Sequence, residues 1–218
     1  MKQFMFRTIN RLGNSLSYRQ SRFILNTLGL SKVIGLLARD QYSELALPNG
    51  IAVTINPLLH ASMEKEGRLN YESDVLEAVE RRLGAGGVFY DVGANVGVFS
   101  FIAAAIVGEG GRVLAFEPEE NNLVCFRRSL DRSNLKNISL YDLALGCEDG
   151  RMTFDRSGGA FSGHLAGSDE EAGGEAVMVE VRAIDSLVDS GAAPPTLLKI
   201  DVEGGEGAVL EGARKTLG

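Results

Sequence analysis

Val88-Phe89-Tyr90-Asp91-Val92-Gly93-Ala94-Asn95-Val96-Gly97 is the stretch whose reading decides the fold. An apolar run rich in β-branched and aromatic residues, of strand length, ends in an acid and a glycine-bearing turn. Val98-Phe99-Ser100-Phe101-Ile102-Ala103-Ala104-Ala105-Ile106-Val107 follows, apolar on every side, and is expected to be a buried helix. Strand, tight turn and helix in that order let a ligand approach the backbone at the carboxyl end of a parallel strand.

The spacing narrows the ligand. A dinucleotide site uses G-x-G-x-x-G, with helix N–H groups aimed at a pyrophosphate. Here the pattern is Asp91-x-Gly93-x-Asn95-x-Gly97, and an acid two residues before the first glycine suits a cation better than a pyrophosphate. The pattern resembles motif I of S-adenosylmethionine-dependent methyltransferases, with Asn95 in place of the middle glycine. Asn is the non-glycine residue that best tolerates positive φ. An ordinary α/β turn without ligand is the alternative.

A second acid stands where such a turn calls for one. Arg112-Val113-Leu114-Ala115-Phe116-Glu117-Pro118 is another buried strand ending in a carboxylate, roughly twenty residues past the glycine turn, where it can accept both ribose hydroxyls of a nucleoside. Pro118 suits the first position of a helix, with Glu119 and Glu120 in its acidic first turn. Leu123, Phe126 and Leu130 then follow helical spacing, with Arg127, Arg128 and Arg132 on the other side.

Composition bounds the classes. The 218 residues carry a net charge of −7, which argues against a general nucleic-acid binder. Two cysteines, Cys125 and Cys147, make neither a disulfide framework nor a zinc site, and point to a reducing, cytoplasmic compartment. No apolar run has the length to span a bilayer. Residues 1–39 hold seven basic residues and no acid, so the rest of the chain carries −14. Two short amphipathic helices broken near Gly13-Asn14-Ser15 admit three readings: a helical cap, a membrane-surface segment drawn to anionic lipid, and a transit peptide.

The other elements follow from local signals. Leu45 to Ile55 is expected to be a hairpin turned at Pro48-Asn49-Gly50. Tyr71 to Leu83 is an amphipathic helix with Val75, Leu76 and Val79 inward, stopped by Gly84-Ala85-Gly86-Gly87. His60, in the loop before it, is expected on the polar surface. Ile138 to Gly146 is expected to be a third strand, with Asp142 or the backbone near Leu143 at an adenine edge. Arg151–Phe154 and Val177–Val181 should pair across a long excursion whose Ser168–Glu175 is acidic and glycine-bearing. Ser157 to His164 leads into that excursion and could border the acceptor pocket; an ordinary loop residue is the alternative for His164. Asp185 should cap a short helix at Ser186-Leu187-Val188. Thr196 to Ile200 is the next strand, and Asp201 and Glu203 stand at its carboxyl end, where a switch point faces the ligand.

Asp91-Val92-Gly93-Ala94-Asn95-Val96-Gly97, Phe116-Glu117-Pro118, Ala144-Leu145-Gly146 and Lys199-Ile200-Asp201-Val202-Glu203-Gly204-x-Glu206 together resemble the FkbM family of methyltransferases, over about residues 72–217. The resemblance implies an α/β fold: a Rossmann-like class I methyltransferase sheet with helices on both faces. It implies S-adenosylmethionine as cofactor and methyl transfer to a hydroxyl of a sugar, glycolipid or polyketide-like acceptor. Asp91 and Gly93, with Asn95 and Gly97 in the same turn, would line the methionine moiety and Glu117 would hold the ribose. Asp201 would orient or deprotonate the acceptor; Glu203 and His164 are assigned to the acceptor side by their own places in the chain. No metal is required.

The expected division is 1–71, an N-terminal helical cap and small hairpin, and 72–218, the methyltransferase domain. Related sheets have seven strands ordered 3-2-1-4-5-7-6, so this chain is expected to lack the C-terminal strands. Its fourth strand should then be an apolar edge for another chain to cover. An inactive cofactor-binding remnant is the alternative from another class. An NAD-dependent oxidoreductase is a third reading, disfavoured by Asp91 and the glycine spacing.

Overall fold

The computed structural model describes residues 40–65, 68–70, 72–155, 164–165, 176–202 and 204–218. The expectations for residues 1–39, Glu203 and the acidic excursion lie outside the described residues. In chain order, β1 (Ser43–Ala46) and β2 (Ala52–Ile55) form the expected hairpin, with Ser43 opposite Ile55. A one-turn 3₁₀ helix (Ala61–Met63), the short pair β3 (Glu64–Lys65) and β4 (Arg68–Leu69), and helix α1 (Ser73–Arg82) follow. The central unit is β5 (Val88–Val92), α2 (Val98–Val107), β6 (Arg112–Phe116), α3 (Glu120–Arg132) and β7 (Ile138–Tyr141). Then come β8 (Ala144–Leu145), β9 (Gly150–Asp155), β10 (His164–Leu165), β11 (Ala176–Arg182), α4 (Ile184–Asp189), β12 (Leu197–Ile200), α5 (Glu206–Glu211) and α6 (Arg214–Leu217).

The main sheet is parallel, ordered β12-β5-β6-β7. β5, β6 and β7 march one way and β12 returns to the other side of β5, so the order reverses between β5 and β12. Strand side chains alternate between two cores. Phe89, Val113 and Ala115 pack with α2, with Phe126 of α3 and with Leu45, Val53 and Ile55 of the hairpin. Tyr90, Val92, Leu114 and Phe116 pack with Ile184 and Leu187 of α4 and Val209 of α5. Helices therefore cover both faces, as right-handed crossovers on either side of a reversal require. The hairpin shares the core of the first face.

Helix α2 is buried nearly all round because it packs on β5 and β6 with α1 against it in the same core, which explains a segment apolar on every side. In α1, Leu76 and Val79 are buried and Val75 is half-buried against the same core. β12 pairs with β5 on one side, and among the described residues nothing pairs with its other edge. No helix among the described residues is long and apolar enough to cross a membrane.

Four local expectations need correction. The third strand does not run through to Gly146: it stops at Tyr141, and Ala144–Leu145 pairs in parallel with Val181–Arg182 of a second sheet ordered β10-β9-β11-β8. Continuous apolarity hid the change of sheet. The helix after Glu117 starts two residues later than Pro118, because Glu119 is its N-cap and accepts the N–H of Asn122 at 3.0 Å. Asp185 does not cap α4. That N-terminus is held by Asp149, which accepts the N–H of Ala183 at 2.8 Å, while Asp185 accepts the N–H groups of Lys215 and Thr216 in α6. Finally, His60 is fully buried, not on the surface.

Candidate functional site

The carboxyl ends of β5 and β12 flank the reversal, the place where an open α/β sheet leaves a crevice. Gly93 joins its two walls. Its φ is +74°, and a Cβ built there would lie 2.0 Å from the backbone oxygen of Asp201. Asp201 in turn donates its N–H to Val92 O at 3.0 Å. The first glycine is thus required by conformation and by the close approach of a neighbouring strand end.

The rest of the turn is tied inward. Gly93 and Ala94 both donate to Phe116 O at 3.0 Å, and Gly97 donates to Ala94 O. Asn95 donates its N–H to Glu117 Oε2 at 2.7 Å, and Val96 donates to Asn95 Oδ1 at 2.8 Å. Asn95 has φ +53° and Gly97 φ +94°, so the residue in the middle position does adopt the left-handed region. All five amides from Gly93 to Gly97 have acceptors within the protein. A turn so committed offers none of them to a pyrophosphate.

Glu117, at the end of β6, is almost fully buried and accepts two backbone N–H groups, from Asn95 and, at 2.8 Å, from Glu119. Burial nevertheless dominates and pushes its carboxyl up to about 7. This folded value lies above the ordinary glutamate value of 4.5 that holds in the unfolded chain. Its contribution to stability is therefore full below about 4.5 and is lost as pH rises through about 7. The ligand-free protein is expected to lose about 3 kcal/mol through this group between pH 4 and pH 8. Urea midpoints for wild type and Glu117→Gln, compared across that range, check it; parallel curves would remove the effect.

On the other wall, Asp91 is fully enclosed. Its Oδ2 accepts from Ser100 Oγ at 2.6 Å, and its Oδ1 lies 3.1 Å from Lys199 Nζ. Lys199 is itself buried. It donates to Gly93 O at 2.9 Å, lies 3.7 Å from Asp201 Oδ2 and stands 5.0 Å from the centre of the Phe99 ring. Asp91 therefore faces the crevice through Lys199 and not by an open oxygen. Asp201 has a half-exposed carboxylate beside that lysine.

The residues expected at the periphery fare differently. Asp142 follows β7 at the same sheet edge, but its exposed carboxylate is paired with Arg127 at 2.9 Å. His164 is described in backbone only, in β10 opposite Asp155, and its side chain lies outside the described residues, as does Glu203. Glu72 joins the crevice acids without any mark in the sequence. It sits at the N-cap of α1 with φ +32°, and its carboxyl is raised, first by burial and then by Asp201, with Lys199 opposing and Asp91 adding. Its signal is invisible in sequence because α1 is carried to the crevice by the fold. No group of three or more His, Cys, Asp or Glu suited to a metal occurs among the described residues.

A family model described as the methyltransferase FkbM domain matches residues 91–218, more than half of the chain. The hexuronic acid methyltransferase AglP of Haloferax volcanii is 31% identical over 150 residues, covering 68% of this chain and 59% of its own length. An FkbM methyltransferase structure from Methylobacillus flagellatus is 25% identical with a TM-score of 0.41, covering 60% of this chain and 30% of that one. A SAM-dependent methyltransferase from Aquifex aeolicus is 26% identical with a TM-score of 0.28, over 31% of this chain and 35% of that one. The chain thus spans less than two thirds of the length of each of these proteins. With the turn, the strand-end carboxylates and the matched region in agreement, the chain belongs to the FkbM methyltransferase domain family.

Proposed function

We propose that the protein binds S-adenosylmethionine in the crevice between β5 and β12 and transfers its methyl group to an oxygen of a sugar, glycolipid or polyketide-like acceptor. One observation carries the reading: the turn's amides are used up inside the protein, while Glu117 presents a carboxylate at the neighbouring strand end. That arrangement suits the hydroxyls of a ribose better than an anionic phosphate. The relative named for a hexuronic acid makes a sugar acid the first acceptor to try.

The donor set fits the cofactor. Glu117 keeps a lone pair for a ribose hydroxyl, and Lys199 balances the acids at the methionine end. When bound, the sulfonium supplies a methyl already activated by its charge. The chain's own part is to position the acceptor in line, which accounts for most of the acceleration. Asp201, half-exposed at the crevice mouth, takes the proton of a hydroxyl as its oxygen bonds to the methyl. An acceptor carboxylate would need no such base.

Calorimetric titration with S-adenosylhomocysteine, and with NADH as control, tests the cofactor. Saturable binding of the first alone is expected; binding of NADH instead would return the oxidoreductase reading. With labelled S-adenosylmethionine and glycan acceptors, Asp201→Asn should lower turnover by about 10²–10⁴-fold while leaving cofactor affinity within about threefold. Equal loss of both would make Asp201 a binding residue. Binding without transfer to any acceptor would favour the remnant.

A further inference from the structure

We propose that His60, upstream of the matched region, is a positioning residue of the nucleoside site that fixes which end of the Asn122 amide faces Glu117. This rests on the reading of Glu117 as the ribose-binding carboxylate.

His60 lies in the loop between β2 and the 3₁₀ turn. That loop is closed by Asn56, whose Oδ1 accepts the N–H groups of Leu58 and Leu59 and whose O accepts that of His60. The imidazole is fully buried. Its Nδ1 accepts the N–H of Asn56 at 2.9 Å, so the neutral ring carries its proton on Nε2. Nε2 is 3.0 Å from Asn122 Oδ1, and a carbonyl oxygen only accepts. With the oxygen end turned to His60, the Nδ2 end is the one turned toward the carboxylate. The Asn122 side chain lies beside Glu117 and helps to hold its carboxyl down. A charged ring would set a donor at Nδ1 against the Asn56 N–H, and burial lowers the ring's affinity for that second proton.

Asn122 is held at its backbone too, by the Glu119 carboxylate. Glu117 is therefore gripped by two backbone N–H donors, Asn95 and Glu119, with the Asn122 amide beside them. Reversing that amide would put its oxygen against the carboxylate and turn Glu117 away from the crevice. The His60 Nε2–H prevents the reversal. Nothing in the glycine turn or in the strand-end acids marks this histidine, because it reaches the site through α3.

The experiment uses the full chain and three variants, read by S-adenosylhomocysteine calorimetry and by the NMR signals of the Asn122 side-chain amide. His60→Asn ends near the position of Nδ1, keeps an acceptor for Asn56 and loses Asn122. Its affinity is expected to fall about tenfold. His60→Gln reaches the Nε2 position and should bind within about twofold of wild type. Asn122→Asp keeps an oxygen for His60 but removes the donor to Glu117, and should lose at least as much as His60→Asn. It carries the test if that variant does not fold. In the ligand-free wild type the Asn122 amide should shift with Glu117 near pH 7, and in His60→Asn it should not. Unchanged affinity in folded His60→Asn and Asn122→Asp, or a folded His60→Gln as weak as His60→Asn, overturns the role of His60. A wild type whose Asn122 amide follows Glu117 but which binds no S-adenosylhomocysteine overturns the nucleoside reading instead, and leaves His60 orienting Asn122.

Discussion

Lys199→Met is expected to cost about 3–5 kcal/mol of folding stability, the range for removing one partner of a buried ion pair. The magnitude follows from what remains. Asp91 is fully enclosed, with Ser100 Oγ on one oxygen and Lys199 Nζ beside the other. Methionine fills much of the lysine's volume but leaves that second oxygen without a cation, and removes the donor to Gly93 O. An unpaired carboxylate in an apolar interior is far costlier than the pair was beneficial. The urea midpoint of Lys199→Met reads the loss. The control is Asp91→Asn combined with Lys199→Met, since an amide can still take the Ser100 hydroxyl without a charge to neutralise. The double variant should be more stable than Lys199→Met alone. If its cost equals the sum of the two singles, the lysine and the aspartate are not coupled and the pair does not hold the crevice.

How much of this was legible in sequence depends on how local the signal was. β5, its turn, α2 and β6 were read nearly to the residue, because strand-length apolar runs ending in acids and glycines are decided by a few adjacent side chains. Glu117 and Asp201 were placed at the crevice for the same reason: each follows directly on a strand whose carboxyl end must face it. The β7–β8 break was missed because an apolar run does not say which sheet it joins. Asp149 and Asp185 were missed as caps because each caps a helix distant in sequence. His60, Glu72 and the role of Lys199 escaped on the same ground. A buried histidine between Asn56 and Asn122 has no linear pattern, since these partners lie on different elements. Lys199 stands two residues before the strand-end Asp201, yet that it turns inward to Asp91 and under the glycine turn is a property of the β5–β12 pairing.

Gly93→Ala is expected to do more damage than its small size suggests, and the comparison that shows it is Gly204→Ala. Both glycines have left-handed backbones, φ +74° and +83°. At Gly204 nothing among the described residues lies within 4 Å of a built Cβ, so alanine there meets the conformational term alone, about 1–2 kcal/mol. At Gly93 the same methyl meets Asp201 O at 2.0 Å and its carbonyl carbon at 2.9 Å. These are backbone atoms of the adjacent strand end, which cannot swing aside as a side chain can. Relief requires β5 and β12 to part, which breaks the Asp201 N–H bond to Val92 O and the Lys199 bond to Gly93 O. Adding those losses to the strain gives an expected cost of about 4 kcal/mol. S-adenosylhomocysteine affinity should fall with it, whereas Gly204→Ala should leave that affinity nearly unchanged. Urea midpoints and calorimetry on the two variants decide the matter. A Gly93→Ala protein no less stable than Gly204→Ala would mean that the two strand ends do not approach as closely as the crevice requires.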